Sequence, residues 1–341
     1  MLEFDFTRLA AIGLTPLLLQ QALALAGDDD LRLARVCCVH RGQVGLHDGE
    51  GERAGRVAPS WQGELAVGDW VLCRPDASEV WMARERLEPF NQLARVNDQG
   101  APQVYASNVD TALLVMGLDG DYNPRRLERY LGLAAASGVA PVVVLSKADL
   151  CAEAEARIAE LQARLRPLPP ILALNATDSS CREALLPWLG AGQTLVLLGS
   201  SGVGKSSLSN VLLGAAEQEV GAARESDSRG RHTTTSRSLL LCPDGACIID
   251  TPGVRGLQAP MDEAALAGSF GDIAELARHC QFRDCGHDGE PGCAVAAGVD
   301  ADRLRNYHKL ARESQSLEQT PLQRQQQRRE WKIRNKAARQ R

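Results

Sequence analysis

Hydrophobic and polar positions change their period three times along the chain. Residues 1–33 space their apolar side chains as one or two short amphipathic helices, which the run Gly27-Asp28-Asp29-Asp30 ends. From residue 34 to about 104 the pattern shortens. β-Prone runs at 35–40, 70–74 and 80–84 lie among turns marked by Gly45, Gly49, Gly51, Gly55, Gly63 and Gly68. Short strands with glycine punctuation predict a small all-β barrel or sandwich. A five-stranded barrel of the oligonucleotide-binding (OB) type fits this length, although composition alone does not choose among small barrels.

From residue 108 apolar runs at 111–117, 141–146, 170–174 and 194–198 alternate with helical spacing at 124–137, 153–165 and near 181–189. Strands alternating with helices predict a parallel α/β sheet, which runs at 237–242 and 246–250 complete. Beyond residue 257 the texture is helical around a cysteine cluster, with helices expected at 301–319 and 322–341. The expected division is a helical segment 1–33, a barrel 34–105, an α/β domain 106–257 and a metal-stapled helical module 258–341.

Composition adds limits. The 341 residues are 44% hydrophobic and 24% charged, ordinary for a globular protein of two or three domains. Aromatics are only 4%, so the core must rest on Leu, Val, Ala and Ile. The formal net charge of -5 hides an asymmetry: residues 321–341 carry eight Arg or Lys and one acid. A basic tail on an acidic body is a pattern for contact with nucleic acid; the bland alternative is a solvated charged tail. No run reaches the ~18–20 apolar residues of a membrane helix. The nearest, 9–26, is interrupted by Gly13, Thr15, Pro16, Gln20 and Gln21 and lacks a basic leader. A cytoplasmic monomer without membrane contact is expected. Its ten cysteines are then free thiols or metal ligands.

Gly199-Ser200-Ser201-Gly202-Val203-Gly204-Lys205-Ser206 matches G-x-x-x-x-G-K-[ST], between an apolar strand and a helix. Glycines let consecutive N–H groups converge on phosphate oxygens. Lys205 is placed to reach the β- and γ-phosphates, and the Ser206 hydroxyl to ligate Mg²⁺. Asp250-Thr251-Pro252-Gly253 ends a strand and looks like the D-x-x-G of GTPases. There Asp250 would hold Mg²⁺ and the Gly253 N–H would meet the γ-phosphate. Ser146-Lys147-Ala148-Asp149, also at a strand end, resembles the guanine-reading N-K-x-D. Asp149 can accept from guanine N1–H and the exocyclic amine, and Lys147 can lie over the ring. Serine for asparagine loses an amide bridge. The base-reading segment precedes the phosphate loop, so the domain reads as a circularly permuted GTPase.

Residues 224–237 are rich in Arg, Ser and Thr and read as a switch loop. Thr234 is the candidate to complete the Mg²⁺ shell, with Thr233 and Thr235 as alternatives. Val254 follows Gly253, so no glutamine stands there to orient water. His232 is a candidate for that role, against a loop histidine that meets RNA or solvent. Cys280-x₄-Cys285-x-His287-x₅-Cys293 is a tetrahedral structural Zn²⁺ set with no open position. Cys37 and Cys38, adjacent in a strand, are expected on opposite faces and so not to make a site. Trp61, Trp70 and Trp81 are either core residues or stacking platforms.

The chain resembles the ribosome small subunit-dependent GTPase A (RsgA/YjeQ) family. The resemblance spans nearly its whole length and is carried by residues 199–207, Arg229-Gly230-Arg231-His232-Thr233-Thr234-Thr235, Asp250 to Gly253 and the Cys/His cluster. It extends the nucleotide set to Ser207, and to Asn175 and Ala176, which stand where GTPases have a Ser-Ala pair against guanine O6. It implies a GTPase that binds the small ribosomal subunit and its rRNA late in maturation and is stimulated by it. The rival from the residues is an RNA-binding assembly protein for which nucleotide is a ligand switch. A second rival is an ATPase, which Asp149 argues against.

Overall fold

The computed structural model describes residues 5–26, 31–40, 43–76, 78–96, 102–214, 237–250 and 263–318. Its centre is a sheet of strands β8 (Thr111–Gly117), β9 (Ala140–Ser146), β10 (Ile171–Ala173), β11 (Thr194–Leu198), β12 (Ser238–Leu241) and β13 (Cys247–Asp250), in the order β10-β9-β8-β11-β13-β12. Strand β8 is buried at every position, as a parallel strand covered on both faces must be. Alternate residues feed two cores. Ala112, Leu114, Met116, Val143, Leu145, Val196 and Leu198 point to one. Leu113, Val115, Val142, Val144, Leu195 and Leu197 point to the other. Helices α3 (Pro124–Ala136) and α4 (Ala154–Arg164) cover the first face. Helices α5 (Ser180–Leu185) and α6 (Lys205–Leu213) cover the second.

The expectation of an all-parallel sheet is corrected at one edge, where β12 runs antiparallel to β13. A tight turn closed by Cys242 N–H on the Ala246 carbonyl (2.7 Å) joins them. Strands joined by a hairpin can only pair antiparallel.

Before this sheet stand helices α1 (Phe6–Ala11) and α2 (Pro16–Ala26) and strands β1 (Arg32–His40), β2 (Gln43–His47), β3 (Glu52–Val57), β4 (Trp70–Pro75) and β5 (Trp81–Arg86). Pairings β1–β2, β2–β3, parallel β3–β5, β5–β4 and β4–β1 close a five-stranded OB-type barrel. Its interior is built from Ala34, Val36, Val44, Leu46, Val71, Cys73, Trp81 and Ala83. Trp70 and Trp81 are therefore core residues, while Trp61 is half-buried against that core. A separate hairpin, β6 (Gln92–Val96) with β7 (Pro102–Ser107), follows. Residue Cys38 of β1 also pairs with Ser238 of β12, so the barrel and the central sheet share one hydrogen-bonded ladder.

Cys37 and Cys38 do not take opposite faces. Val36 pairs with Leu46 but Cys38 with Gly45, so Cys37 is the extra residue of a β-bulge. A bulge breaks the two-residue alternation that the expectation assumed. The two sulfurs instead lie within 4.8 Å of each other.

The seam between barrel and sheet holds a fully buried cation, Arg35. Its Nη1 donates to the Ile12 carbonyl at 2.5 Å and to Thr194 Oγ1 at 2.9 Å. Its Nη2 donates to the Asn108 carbonyl at 3.0 Å and its Nε to the Gly68 carbonyl at 3.3 Å. Burial lowers the pKa of this guanidinium, while Cys247, Asp110 and Asp69 act in the opposite direction.

At the other end lie helices α7 (Glu263–Ser269), α8 (Gly271–Ala277), α9 (Ala294–Gly298) and α10 (Ala301–Glu318). Their small core contains Leu266, Phe270, Ile273, Val295 and Leu310. The helix expected at 322–341, with Trp331, lies outside the described residues. A buried ionic network docks the module on α3. Arg303, 2% exposed, reaches the fully buried Glu128 at 2.7 Å and Asp272 at 2.7 Å. Asn306 Nδ2 donates to the second Glu128 oxygen at 2.5 Å, and Arg164 Nε donates to the first at 2.7 Å. Arg125 and Arg164 both hold Asp302, whose carboxyl sits well below its usual range, chiefly through the Arg125 hydrogen bond.

Removing one member of such a network strands the others in low dielectric. Arg303→Met is expected to cost about 3–5 kcal/mol. The loss should be read as an earlier denaturant transition and lost hydrogen-exchange protection in α10. Adding Glu128→Gln should restore part of it, and an unchanged transition in Arg303→Met would refute the assignment.

Candidate nucleotide site and metal cluster

All the described nucleotide-binding candidates lie on the edge formed by the C-terminal ends of the parallel strands, or in the loops leaving it. In open α/β sheets this is where ligands bind. Register places Gly117 beside Ser146 and Leu198 beside Leu114, so the strand exits are level. The phosphate loop leaves β11 at Gly199 and enters α6 at Lys205. Gly199 passes so close to β8 that a Cβ there would collide with the Val115 carbonyl oxygen. Gly202 and Gly204 take φ values of +81° and +94°, in the left-handed region that side chains resist. Val203 and Lys205 are buried, whereas Ser201 and Ser206 face solvent. Ser200 and Ser207 are half-buried.

The Lys205 ammonium donates to the Gly199 and Ser200 carbonyls at 2.8 and 2.6 Å. Burial pulls its pKa down, while the carboxylates of Asp250 and Asp121 pull it up. Asp250, at the end of β13, is thus electrostatically coupled to the phosphate-loop lysine although 45 residues separate them. Gly253, His232 and Thr233 to Thr235 lie outside the described residues.

Three segments meet behind the loop. A Cβ on Gly204 would stand 3.4 Å from Ala176 Cβ and 3.8 Å from Ser146 Cβ. Ser146 is fully buried, and its hydroxyl donates to the Val203 carbonyl at 2.5 Å. The serine that replaces asparagine therefore makes its own bridge from the base-reading strand to the phosphate loop. Lys147 follows in the left-handed region at φ 60°, and Asp149 stands exposed on the next turn. Asn175 caps the neighbouring loop, where its Oδ1 accepts from Thr177 N and Oγ1 at 3.0 and 2.7 Å.

Two further residues escaped the motif reading. Asp119 holds Lys147 Nζ at 2.6 Å, and that hydrogen bond keeps its carboxyl below the usual range. Burial raises the pKa of the Tyr130 phenol on α3, and the Ser200 side chain of the phosphate loop acts against that rise. The first has a faint sequence signal, the Asp119-Gly120-Asp121 turn after β8. The second has none.

The family model described as RsgA GTPase matches residues 86–260. A "Small ribosomal subunit biogenesis GTPase RsgA" from Xanthomonas oryzae is 45% identical over 290 residues, 81% of this chain and 79% of the relative. The chain belongs to the RsgA GTPase family. It is thereby a GTP-hydrolysing enzyme. An RsgA from Xylella fastidiosa strain 9a5c is 47% identical over 264 residues, covering 74% and 76% of the two chains. YjeQ from Thermotoga maritima superimposes with a TM-score of 0.63 at 26% identity, over 85% of this chain and all of that one. YloQ, described as a circularly permuted GTPase, shares the fold at a TM-score of 0.60 and 22% identity, over 86% and 98%. The structure has the permuted order too: Ser146, at the head of the base-reading segment, precedes the phosphate loop in the chain and bonds to it in space.

The cysteine cluster of this chain lies between α8 and α9. One ligand atom from each of Cys280, Cys285, His287 and Cys293 lies within 4.8 Å of all the others. Cys280 Sγ is 3.9 Å from Cys293 Sγ, and His287 Nδ1 is 3.6 and 3.5 Å from these two sulfurs. A tetrahedron with Zn–S of ~2.3 Å and Zn–N of ~2.0–2.1 Å has edges of about 3.8 and 3.6 Å. The donor set therefore fits a metal ion in both chemistry and size. His287 adopts φ 61° to turn its ring inward, and its carbonyl contacts His308 Nε2 at 3.4 Å.

Two outcomes follow from this geometry. Ser146→Ala leaves the Val203 carbonyl buried without its partner, a loss of roughly 1–3 kcal/mol if it falls on the nucleotide-bound state. Titration with fluorescent GDP should then show about tenfold weaker binding, with an unaltered circular dichroism spectrum; wild-type affinity would dismiss the bridge. Cys285→Ser, or chelation of the wild type, should release metal and remove hydrogen-exchange protection from α9 while GDP binding persists. Retained protection after complete metal removal would show that the module folds without it.

Proposed function

We propose that this GTPase acts in biogenesis of the small ribosomal subunit, binding that subunit and its rRNA late in maturation and hydrolysing GTP faster when bound. The observation that carries the reading is the bond from Ser146, which opens the segment Ser146 to Asp149, to the phosphate loop, in a chain spanning 79% of a relative that bears this role in its name. In this reading Asp149 accepts from guanine N1–H and the exocyclic amine, and Lys147, steadied by Asp119, lies along the ring. Asn175 and Ala176 border the guanine O6. Residues 199–207 cradle the phosphates through backbone N–H groups.

Ser206, Asp250 and Thr234 would hold Mg²⁺, which neutralises charge on the β- and γ-phosphates during phosphoryl transfer. Lys205 supplies a fixed cation to the same oxygens, and His232 orients the attacking water. Cys280, Cys285, His287 and Cys293 hold one structural Zn²⁺. The domain limits are those read from the sequence: 1–33, 34–105, 106–257 and 258–341. The barrel and the zinc module grip rRNA, with the basic residues of 321–341 contacting phosphates in a salt-sensitive manner. The protein works as a cytoplasmic monomer.

The test is GTP hydrolysis by the purified chain, alone and with small ribosomal subunits, using ATP and large subunits as controls. Turnover should rise by orders of magnitude with small subunits only, and Lys205→Ala should abolish it. GTP turnover that small subunits leave unchanged would remove the ribosomal assignment while leaving the GTPase in place.

A further inference from the structure

The β-bulge in β1 makes a second cluster of metal-ligating groups, far from the Cys280 set in sequence. Because Cys37 and Cys38 together face the single residue Gly45, both thiols come to the same side of the ladder. Strand β3, paired with β2, brings up Glu52. One Cys37 sulfur, one Cys38 sulfur and one Glu52 oxygen all lie within 4.8 Å of one another. Cys38 Sγ is 3.5 Å from Glu52 Oε1.

What they surround is the bare α-carbon of Gly45. A Cβ added there would stand 2.5 Å from Glu52 Oε1, 2.6 Å from Cys38 Sγ and 2.8 Å from Cys37 Sγ. The space is thus a three-donor cradle that any side chain at residue 45 would fill. Cys37 is buried, Cys38 half-buried and Glu52 exposed, so the cradle has a dry wall and an open one. The open side meets a cavity of about 540 Å³ lined by Cys38, His40, Gly45, Glu52 and Arg53 among others.

We infer that Cys37, Cys38 and Glu52 form a second metal site on the barrel, for a thiophilic divalent cation of the zinc and cadmium class. Two thiolates select against magnesium and calcium, which take oxygen ligands. The Cys280 set supplies four protein ligands and is closed. This one supplies three, and its fourth position opens on the cavity, where water or the His40 imidazole can complete the shell. Its place is also particular. Cys38 pairs with Ser238, so an ion here would tie β1 to β3 at the strand through which the barrel joins the GTPase sheet.

The test uses the full chain with its Cys280 cluster loaded with zinc, kept reduced by a phosphine. Cadmium is titrated in, and binding is followed by thiolate-to-metal charge-transfer absorption and by metal content after gel filtration. Wild type should take up one ion beyond the zinc, and that ion should shield Cys37 and Cys38 from alkylation in peptide mapping. The double variant Cys37→Ser/Cys38→Ser should lose this ion while keeping the zinc and the wild-type circular dichroism spectrum. Glu52→Gln should bind it at least tenfold more weakly, and Gly45→Ala should exclude it. No extra ion in wild type, an extra ion that persists in the double cysteine variant, or alkylation unchanged by cadmium would each overturn the site. GTP turnover of the double variant should match wild type, since none of these residues belongs to the nucleotide site.

Discussion

A guanidinium shut away from water must find an acceptor for its donors, and Arg35 finds them in four separate segments. The Ile12 carbonyl follows α1, the Gly68 carbonyl belongs to the barrel, the Asn108 carbonyl marks the passage into the central domain, and Thr194 opens the strand that carries the phosphate loop. Any displacement of barrel against sheet would break at least one of these bonds inside a low-dielectric seam, where a lost partner is costly. The shared ladder through Cys38 and Ser238 adds a backbone link at the same seam. The barrel is therefore not a module on a tether. Its orientation is set by the strand that positions Gly199.

The opposite side of the GTPase domain is fixed by a different device. Helix α3 presents Glu128 to Arg303 and Asn306, and Arg129 to Glu313 at 2.6 Å, all from α10. The same helix carries Tyr130, whose phenol is coupled electrostatically to the Ser200 side chain of the phosphate loop. Tyr130 stands two positions along the chain from Glu128, the anchor of the metal-binding module. Hydrophobic packing alone would not give this docking a unique register, because the module's own core is small. Paired charges with directional hydrogen bonds do, at the expense of desolvating Glu128 and Arg303.

The architecture was legible wherever burial imposes a period. Continuous apolar runs in 111–117 and 194–198 can only be strands covered on both faces, and they were placed to the residue. The phosphate loop and the Cys280 cluster were legible because their chemistry demands particular residues at short spacing. Strand β3 was not: Glu52–Val57 is exposed at every position but Gly55 and holds three charged residues, so no alternation announces it. The network around Glu128 was equally silent, since its partners lie 36 to 178 residues away and a single acid on a helix reads as solvated. The bulge at Cys37 was misread for a related reason. Alternation along a strand is a rule about paired residues, and nothing in Val36-Cys37-Cys38 reveals that one of them has no partner.

Ser146 shows how a motif can change its residue and keep its geometry. Asparagine in that position is read as a bridge between the base-reading loop and the phosphate loop, and serine looks too short for it. Here β9 runs close behind the loop: Ala176 and Ser146 both stand within van der Waals reach of the position a Gly204 side chain would occupy. A hydroxyl then spans what an amide would otherwise be needed to span. The compensation depends on glycine at 204, because its φ of +94° is a backbone conformation that side chains resist. The serine and the glycine are thus one structural feature, written 58 positions apart in the chain.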